Sequence, residues 1–210
     1  MHQLDFKLIQ SLPAPTAFVS LPAATETSLA RLSETLQRAK AAVRFAYWAQ
    51  SSAETIRVPK TEEIPMREAC LRASLGEFVS MEETAKRDFA ALAIQKPPPA
   101  ISESKSPLMH ALRELRNVNF HLATIGITED SKPVIWHFDG KDHELDYSLT
   151  LVDGFTFDQF MALRNAKYYD RPDVQTLIDW FAREQREWGV PHLIVLAVGQ
   201  YSNDLLARAA

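Results

Sequence analysis

Apolar side chains recur three and four positions apart over much of this chain, a spacing that is typical of amphipathic helices. A first stripe runs from Thr25 to about Gln50, and a second runs from about Glu62 to Ile94, with Pro65 in its first turn. A third stripe begins at Ser106-Pro107, a capping serine followed by a proline at the first helical position, and continues to Leu122. The sequence therefore predicts three long helices in this part of the chain.

The pattern changes to a strand-like composition after the third helix. Pro133–Phe138 and Tyr147–Val152 are rich in β-branched and aromatic residues, and Asp139-Gly140 lies between them. These features predict a β-hairpin with a loop longer than the two-residue minimum.

Helical signals return beyond the hairpin. They predict a short helix near Phe157–Arg164, a longer one over Pro172–Trp188 and a last one from Pro191 to about Ala207. Within the last helix, the apolar run Leu193–Val198 also fits a buried strand.

Together these elements predict a mainly α protein, an up-and-down helical bundle with an inserted β-hairpin. Residues 1–24 contain three prolines and are predicted to form an N-terminal arm, with a short strand near Leu4–Ile9. Residues 25–210 are predicted to form a single helical-bundle domain, with the hairpin insertion near residues 132–153.

The composition is that of a soluble globular protein, with 210 residues, 46% hydrophobic side chains and 24% charged side chains. A chain of this length buries a sizeable core without disulfides. The single cysteine, Cys70, has no intramolecular disulfide partner, and we expect it to be a small buried side chain. The net charge of -4 argues against general, charge-driven coating of nucleic acid, but it leaves room for a local basic cleft.

No apolar run approaches the roughly 20 residues that a membrane-spanning helix needs. The first residues lack the charged-then-apolar order of a signal peptide. We therefore expect a cytoplasmic protein without a membrane partner.

The third helix carries the candidate chemistry on one polar face. With Arg116 set at about 0° on a helical wheel, the apolar side chains fall within roughly 200° to 320° and form the predicted core face. Polar side chains gather within roughly 60° to 160° on the other side: His110, Arg113, Glu114, Asn117 and His121.

Histidine and arginine on one helix face suit the cleavage of RNA by its own 2′-hydroxyl group. The reaction needs a base and an acid, and histidine exchanges protons near neutral pH. Arginine donates two parallel hydrogen bonds to a phosphate whose charge develops during the reaction. Asn117 would orient the histidine or hold a ribose, and the scheme requires no metal and no other cofactor.

The third helix resembles the motif of the HEPN superfamily, which is an Arg, four to six residues and then a His, often with a polar residue directly after the Arg. In this chain the matching residues are Arg116, Asn117 and His121. The resemblance extends to the setting, a mainly helical bundle with the motif on a later helix. It implies a metal-independent endoribonuclease of a toxin–antitoxin, defence or RNA-processing system, acting as a homodimer and paired in such systems with an inhibitor or partner protein. Arg116 and His121 would be the catalytic pair and Asn117 a supporting group, with His110 and Arg113 as further supporting candidates on the same face.

Three other interpretations stay open. In the first, the polar face is simply solvated, Arg113 and Glu114 form surface salt bridges, and His110 is a surface histidine. In the second, the protein is a non-catalytic interaction module that uses the hairpin as its recognition edge. In the third, a pocket between helices binds a nucleotide or another small ligand, with Arg113 and Arg116 contacting its phosphate.

Acidic and imidazole side chains also cluster around the hairpin loop: His137, Asp139, Asp142, His143 and Glu144. Such groups accept a divalent cation, but their spacing matches no recognised ligand set, and we interpret them as a polar turn. The chain has no glycine-rich phosphate loop and no Gly-x-Ser-x-Gly elbow of the hydrolases.

Overall fold

The computed structural model describes residues 1–9, 21–52, 55, 57–121 and 126–209. Its helices are α1 (Ala23–Leu29), α2 (Ser33–Gln50), α3 (Glu63–Ala91), α4 (Pro107–His121), α5 (Phe157–Met161), α6 (Arg171–Trp188) and α7 (Val190–Ala209). Strands β1 (Ile127–Phe138) and β2 (Lys141–Val152) form an antiparallel hairpin between α4 and α5. The predicted fold class, a mainly helical bundle with an inserted hairpin, is confirmed.

Helix α7 lies at the centre of the bundle, in contact with α1, α2, α3, α4 and α6. Leu193, Ile194, Ala197 and Val198 are all fully buried, so the run that also fitted a strand is helical. Because other helices surround it, α7 is apolar on several faces and lacks the single stripe of a surface helix. No helix among the described residues is long and apolar enough to cross a membrane.

The first predicted helix is divided into α1 and α2 by a break at residues 30–32. Asp88 of α3 reaches the start of α2, where its carboxylate accepts hydrogen bonds from the backbone N–H and the hydroxyl of Thr35, each at 2.8 Å. It also accepts the N–H of Glu34 at 3.3 Å. These groups satisfy backbone donors that the first turn of a helix leaves unpaired. A residue distant in sequence thus provides the cap of α2.

The hairpin has strands of 12 residues each, longer than predicted. Phe138 pairs with Lys141, so Asp139 and Gly140 alone form the loop, and the prediction of a longer loop is wrong. Both loop residues have positive φ, 52° and 70°. This conformation belongs to two-residue turns whose twist matches that of the strands, which allows the ladder to continue up to the turn.

Two glutamine side chains occupy the outer edge of β2 near its end. Gln50 of α2 accepts the N–H of Thr150 at 3.3 Å and donates to the carbonyl of Ser148. Gln185 of α6 accepts the N–H of Val152 at 2.9 Å and donates to its carbonyl at 3.3 Å. Their amide groups take the place of a neighbouring strand and fix the base of the hairpin on the bundle.

A buried arginine, Arg67 of α3, also joins the hairpin to the bundle. Its side chain is 2% exposed. It donates from Nε to the carbonyl of Ala49 at 2.8 Å and from Nη2 to the hydroxyl of Thr150 at 2.6 Å. Glu129 of β1 and Glu63, the latter at 3.8 Å, form ion pairs with it. One side chain therefore links α2, α3 and both strands.

The start of the N-terminal arm has a different secondary structure from the one predicted. Phe6–Ile9 form a short 3-10 helix, so the strand predicted over Leu4–Ile9 is wrong, while Pro13 and Pro15 lie outside the described residues. The backbone N–H of His2 donates to the carbonyl of Tyr168 at 2.7 Å, and that of Asp5 donates to the carbonyl of Lys105 at 2.8 Å. These bonds fix the start of the arm on the rest of the chain.

Candidate functional site

A cleft of about 570 Å³ opens between α4 and the segment that follows α5. That segment includes a 3-10 helix at Arg164–Tyr168 and leads into α6. The cleft is lined by Arg113 and Asn117 of α4 and by Ala162, Leu163, Arg164, Asn165, Lys167 and Tyr168. It therefore lies against the polar face of the third predicted helix.

The lining of this cleft carries positive charge. Arg113, Arg164 and Lys167 contribute cations and Asn117 and Asn165 contribute amides, whereas no carboxylate is among these lining residues. Since the whole chain has a net charge of -4, this charge is a local feature. The arrangement attracts anions, and its arginine and amide groups donate hydrogen bonds to phosphate oxygens.

A buried carboxylate, that of Glu114, organises the floor of the cleft. Its side chain is fully buried, and four donors surround it. Oε1 accepts from Arg113 and from the hydroxyl of Tyr169, both at 3.0 Å. Oε2 accepts from the side-chain amides of Asn117 at 2.9 Å and Asn165 at 2.6 Å. Because three of these donors line the cleft, Glu114 fixes their orientation there.

His110 lies next to this carboxylate group and is fully buried. Its Nδ1 is 2.6 Å from the hydroxyl of Tyr169, and its Nε2 is 2.8 Å from the carbonyl oxygen of Ser104. Burial lowers the pKa of His110 to about 4, while the Ser104 carbonyl acts in the opposite direction. The interpretation of His110 as a surface histidine, and of the whole polar face as solvated, is wrong because Tyr169 covers that part of the face.

The low pKa of His110 predicts a pH-dependent stability. Below pH 6.5 the unfolded chain binds a proton at His110 that the folded protein does not take up until about pH 4. The stabilising contribution is therefore complete above pH 6.5 and decreases toward pH 4, by about 1.4 kcal/mol per pH unit and about 3 kcal/mol in total. We expect urea denaturation between pH 7.5 and pH 4 to show this decrease in the wild type and a flatter profile in His110→Gln. Parallel profiles for the two proteins would contradict the assignment.

The structure brings some of the predicted site residues together. Arg113 and Asn117 line the cleft, and the guanidinium Nη1 of Arg116 donates to Oδ1 of Asn117 at 3.2 Å. Arg116 is partly buried and borders the cleft through this contact. His121 is the last residue of α4, four positions after Asn117, but its side chain lies outside the part of the structure that is described. The predicted pair of Arg116 and His121 therefore stays a prediction.

The opposite wall of the cleft was missed in the sequence analysis. Arg164, Asn165, Lys167 and Tyr168 were assigned only to the end of a short helix and the connection after it, although they place two cations, an amide and an aromatic ring within five residues. Such a group is a sequence signal for anion or nucleic-acid binding. The Nζ atom of Lys167 lies 5.0 Å from the ring centroid of Tyr168, whose side chain is 49% exposed.

The candidate metal ligands at the hairpin do not form a metal site. His137 and Asp142 face each other across the strands, with 2.9 Å between Nδ1 and Oδ1. Across the described ranges, no group of three or more histidine, cysteine or acidic side chains is arranged to hold a metal ion. Cys70 is buried as expected, and burial raises the pKa of its thiol.

Comparison with protein families, with curated proteins and with solved structures finds no match to this chain. Its function must therefore be inferred from the residues themselves. The two relevant features are the Arg116-Asn117…His121 motif and the cationic cleft that adjoins it through Asn117.

Proposed function

We propose that this protein binds RNA through the phosphates in the cationic cleft and cleaves it as a HEPN-like, metal-independent endoribonuclease. The observation that carries the proposal is the cleft itself, which has three cations, two amides and no carboxylate in its described lining. The buried Glu114 holds Arg113 and both amides in place. Asn117 belongs both to this cleft and to the predicted motif. Cytoplasmic action, a homodimer and an inhibitor protein stay predictions from the sequence.

The proposed reaction uses the RNA as its own nucleophile. The 2′-oxygen attacks the adjacent phosphorus and loses its proton to a base, and the 5′-oxygen of the next nucleotide leaves with a proton from an acid. His121 would perform one of these proton transfers, and Arg116 would stabilise the charge on the phosphate. Arg113, Arg164 and Lys167 would hold a neighbouring phosphate, so that the strand extends along α4. The products are a 2′,3′-cyclic phosphate and a 5′-hydroxyl end.

The test is cleavage of a labelled RNA in EDTA by the wild type and by His121→Ala. We expect the substitution to lower the rate by at least about 100-fold, the range measured for the loss of one acid or base. His137→Ala is a matched control, because this exposed histidine is on the hairpin and paired with Asp142. Elution volume and circular dichroism should be unchanged in both variants. Equal cleavage by the wild type and by His121→Ala would refute the catalytic proposal.

RNA binding is tested separately with a 2′-O-methyl oligonucleotide, which cannot be cleaved by this reaction. The double substitution Arg164→Ala/Lys167→Ala should raise its Kd at least about tenfold and reduce the dependence of binding on salt. A charge-matched control is Lys86→Ala/Arg183→Ala, whose side chains are exposed on other helices. An equal loss of affinity in both double variants would contradict a role for the cleft.

A second candidate function is nucleotide binding without cleavage. The exposed ring of Tyr168 beside Lys167 offers a surface on which a base can stack near a cation, and a volume of about 570 Å³ fits a small ligand. Binding of adenosine monophosphate together with no RNA cleavage would favour this function. Recognition of a protein along the hairpin edge has less support, because β1 carries charged residues and a proline, which discourage the addition of another strand. These residues are Glu129, Lys132 and Pro133.

A further inference from the structure

We infer that His2 of the N-terminal arm is a ligand-binding residue of the cleft and that it takes up a proton when a phosphate group binds there. This inference rests on the proposed function, since it assigns another contact and a pH dependence to the same cleft. The sequence predicted only an N-terminal arm with a short strand here, so this role of His2 was not anticipated.

His2 is fixed against the segment that follows α5. Its backbone donates to the carbonyl of Tyr168, which lines the cleft, at 2.7 Å. Its ring centroid lies 5.9 Å from that of Tyr168 and 4.6 Å from that of Tyr169. Asp5 fixes the following turn of the arm through its bond to Lys105. The imidazole therefore packs against Tyr168, which lines the cleft, although His2 itself is not among the lining residues.

Charged and titratable groups surround this imidazole. The ring centroid of His110 on α4 is 5.0 Å away, and the charges of Arg113 and Glu114 on the same helix act on the imidazole. The two tyrosines face it from the segment after α5, and the amino terminus of the chain is also close. Burial is the main cause that lowers the pKa of His2, and the positive charge of Arg113 lowers it further. The negative charge of Glu114 acts in the opposite direction.

A bound phosphate would change the electrostatic environment of His2. A negative group bound by Arg113 would offset the positive charge that now lowers the pKa of His2. Its charge favours the imidazolium form and raises the pKa of His2, so binding and proton uptake are linked. Since the pKa is higher in the bound state, affinity increases as the pH falls through the interval between the two values. His110 is too deeply buried to make this contact.

The experiment measures the Kd of the full chain for a 2′-O-methyl oligonucleotide from pH 8 to pH 5. This probe is not cleaved, and its phosphodiesters keep a constant charge over this range. We expect binding to become about tenfold tighter toward pH 5 in the wild type, which corresponds to a rise of about one pKa unit on binding. In His121→Ala, which removes the contribution of the proposed catalytic histidine, this gain should persist. Adding His2→Gln should abolish it, while adding His110→Gln should not.

Three outcomes are distinguishable. A gain in affinity that His2→Gln removes, together with a ligand-induced shift of the His2 imidazole signals in NMR spectra, supports the inference. A gain that persists in His2→Gln overturns it and leaves RNA binding by the cleft intact. If the oligonucleotide fails to bind at every pH, the proposed function and the role of His2 are both refuted.

Discussion

Replacing Glu114 with alanine is expected to lower the free energy of unfolding by about 4 kcal/mol, within the range observed when a buried charged group is removed from its partners. The substitution would leave four donors without their acceptor, two of them on cleft amides and one on Arg113. The fourth, the hydroxyl of Tyr169, keeps His110 as a neighbour. Because Asn117 and Asn165 lose the group that orients them, we also expect oligonucleotide affinity to fall at least about tenfold.

Urea denaturation and binding of the 2′-O-methyl oligonucleotide measure these two effects. Glu83→Ala is a suitable control, because Glu83 also pairs with a cation, Lys86 at 2.6 Å, but is 68% exposed. Exposed pairs of this kind contribute about 0 to 1 kcal/mol. Glu114→Gln, which keeps the shape and turns one acceptor into a donor, should weaken binding even if it remains more stable than Glu114→Ala. A similar small loss for Glu114→Ala and Glu83→Ala would show that the buried network contributes little.

Replacing Arg67 with alanine should have a comparably large effect on stability, about 4 kcal/mol, and it should loosen the base of the hairpin. The substitution removes a nearly fully buried side chain and leaves a cavity. It also deprives the carbonyl of Ala49 and the carboxylate of Glu129 of a donor. Arg67→Lys retains the charge but not the planar fork, so we expect an intermediate loss of about 2 kcal/mol.

Arg38→Ala is the matched control for Arg67. Arg38 donates two hydrogen bonds to Glu77, at 2.9 and 3.1 Å, but its side chain is 43% exposed. We expect it to contribute less than about 1 kcal/mol. Hydrogen exchange should report the local effect. Relative to the wild type, Arg67→Ala should accelerate exchange of the β1 and β2 amides near Ile127 and Val152 more than exchange of the α7 amides. Uniform acceleration along the whole chain would indicate that Arg67 has no special role at the hairpin.

The elements that sequence analysis predicted correctly are those with a local signal. Ser106-Pro107 marks the start of α4, and the β-branched and aromatic residues on both sides of Asp139-Gly140 mark the hairpin. The break between α1 and α2 has no comparable signal, because the cap of α2 comes from Asp88, more than 50 residues away in the chain. Periodicity describes one segment at a time, so it does not reveal a cap that another helix provides.

The same reason explains which part of the candidate site could be predicted. Arg113 and Asn117 were found because they share a face of one helix, whereas Arg164 and Lys167 come from a segment that reaches them only in the folded chain. A helical wheel separates polar from apolar positions, but it does not distinguish a solvated polar face from one covered by another polar segment. One of the interpretations therefore placed His110 on the surface, although Tyr169 covers it.

The hydroxyl of Tyr169 has one hydrogen and two acceptors within reach, Nδ1 of His110 and Oε1 of Glu114. The neutral imidazole of His110 donates its one N–H, at Nε2, to the Ser104 carbonyl, so Nδ1 carries no hydrogen and is an acceptor. Burial raises the pKa of Tyr169, so its hydroxyl keeps its proton and can donate it to either neighbour. A second proton on His110 would occupy Nδ1 and turn this hydrogen fully toward Glu114. Protonation of His110 would therefore strengthen the hydrogen bond from Tyr169 to Glu114, the carboxylate beneath the cleft.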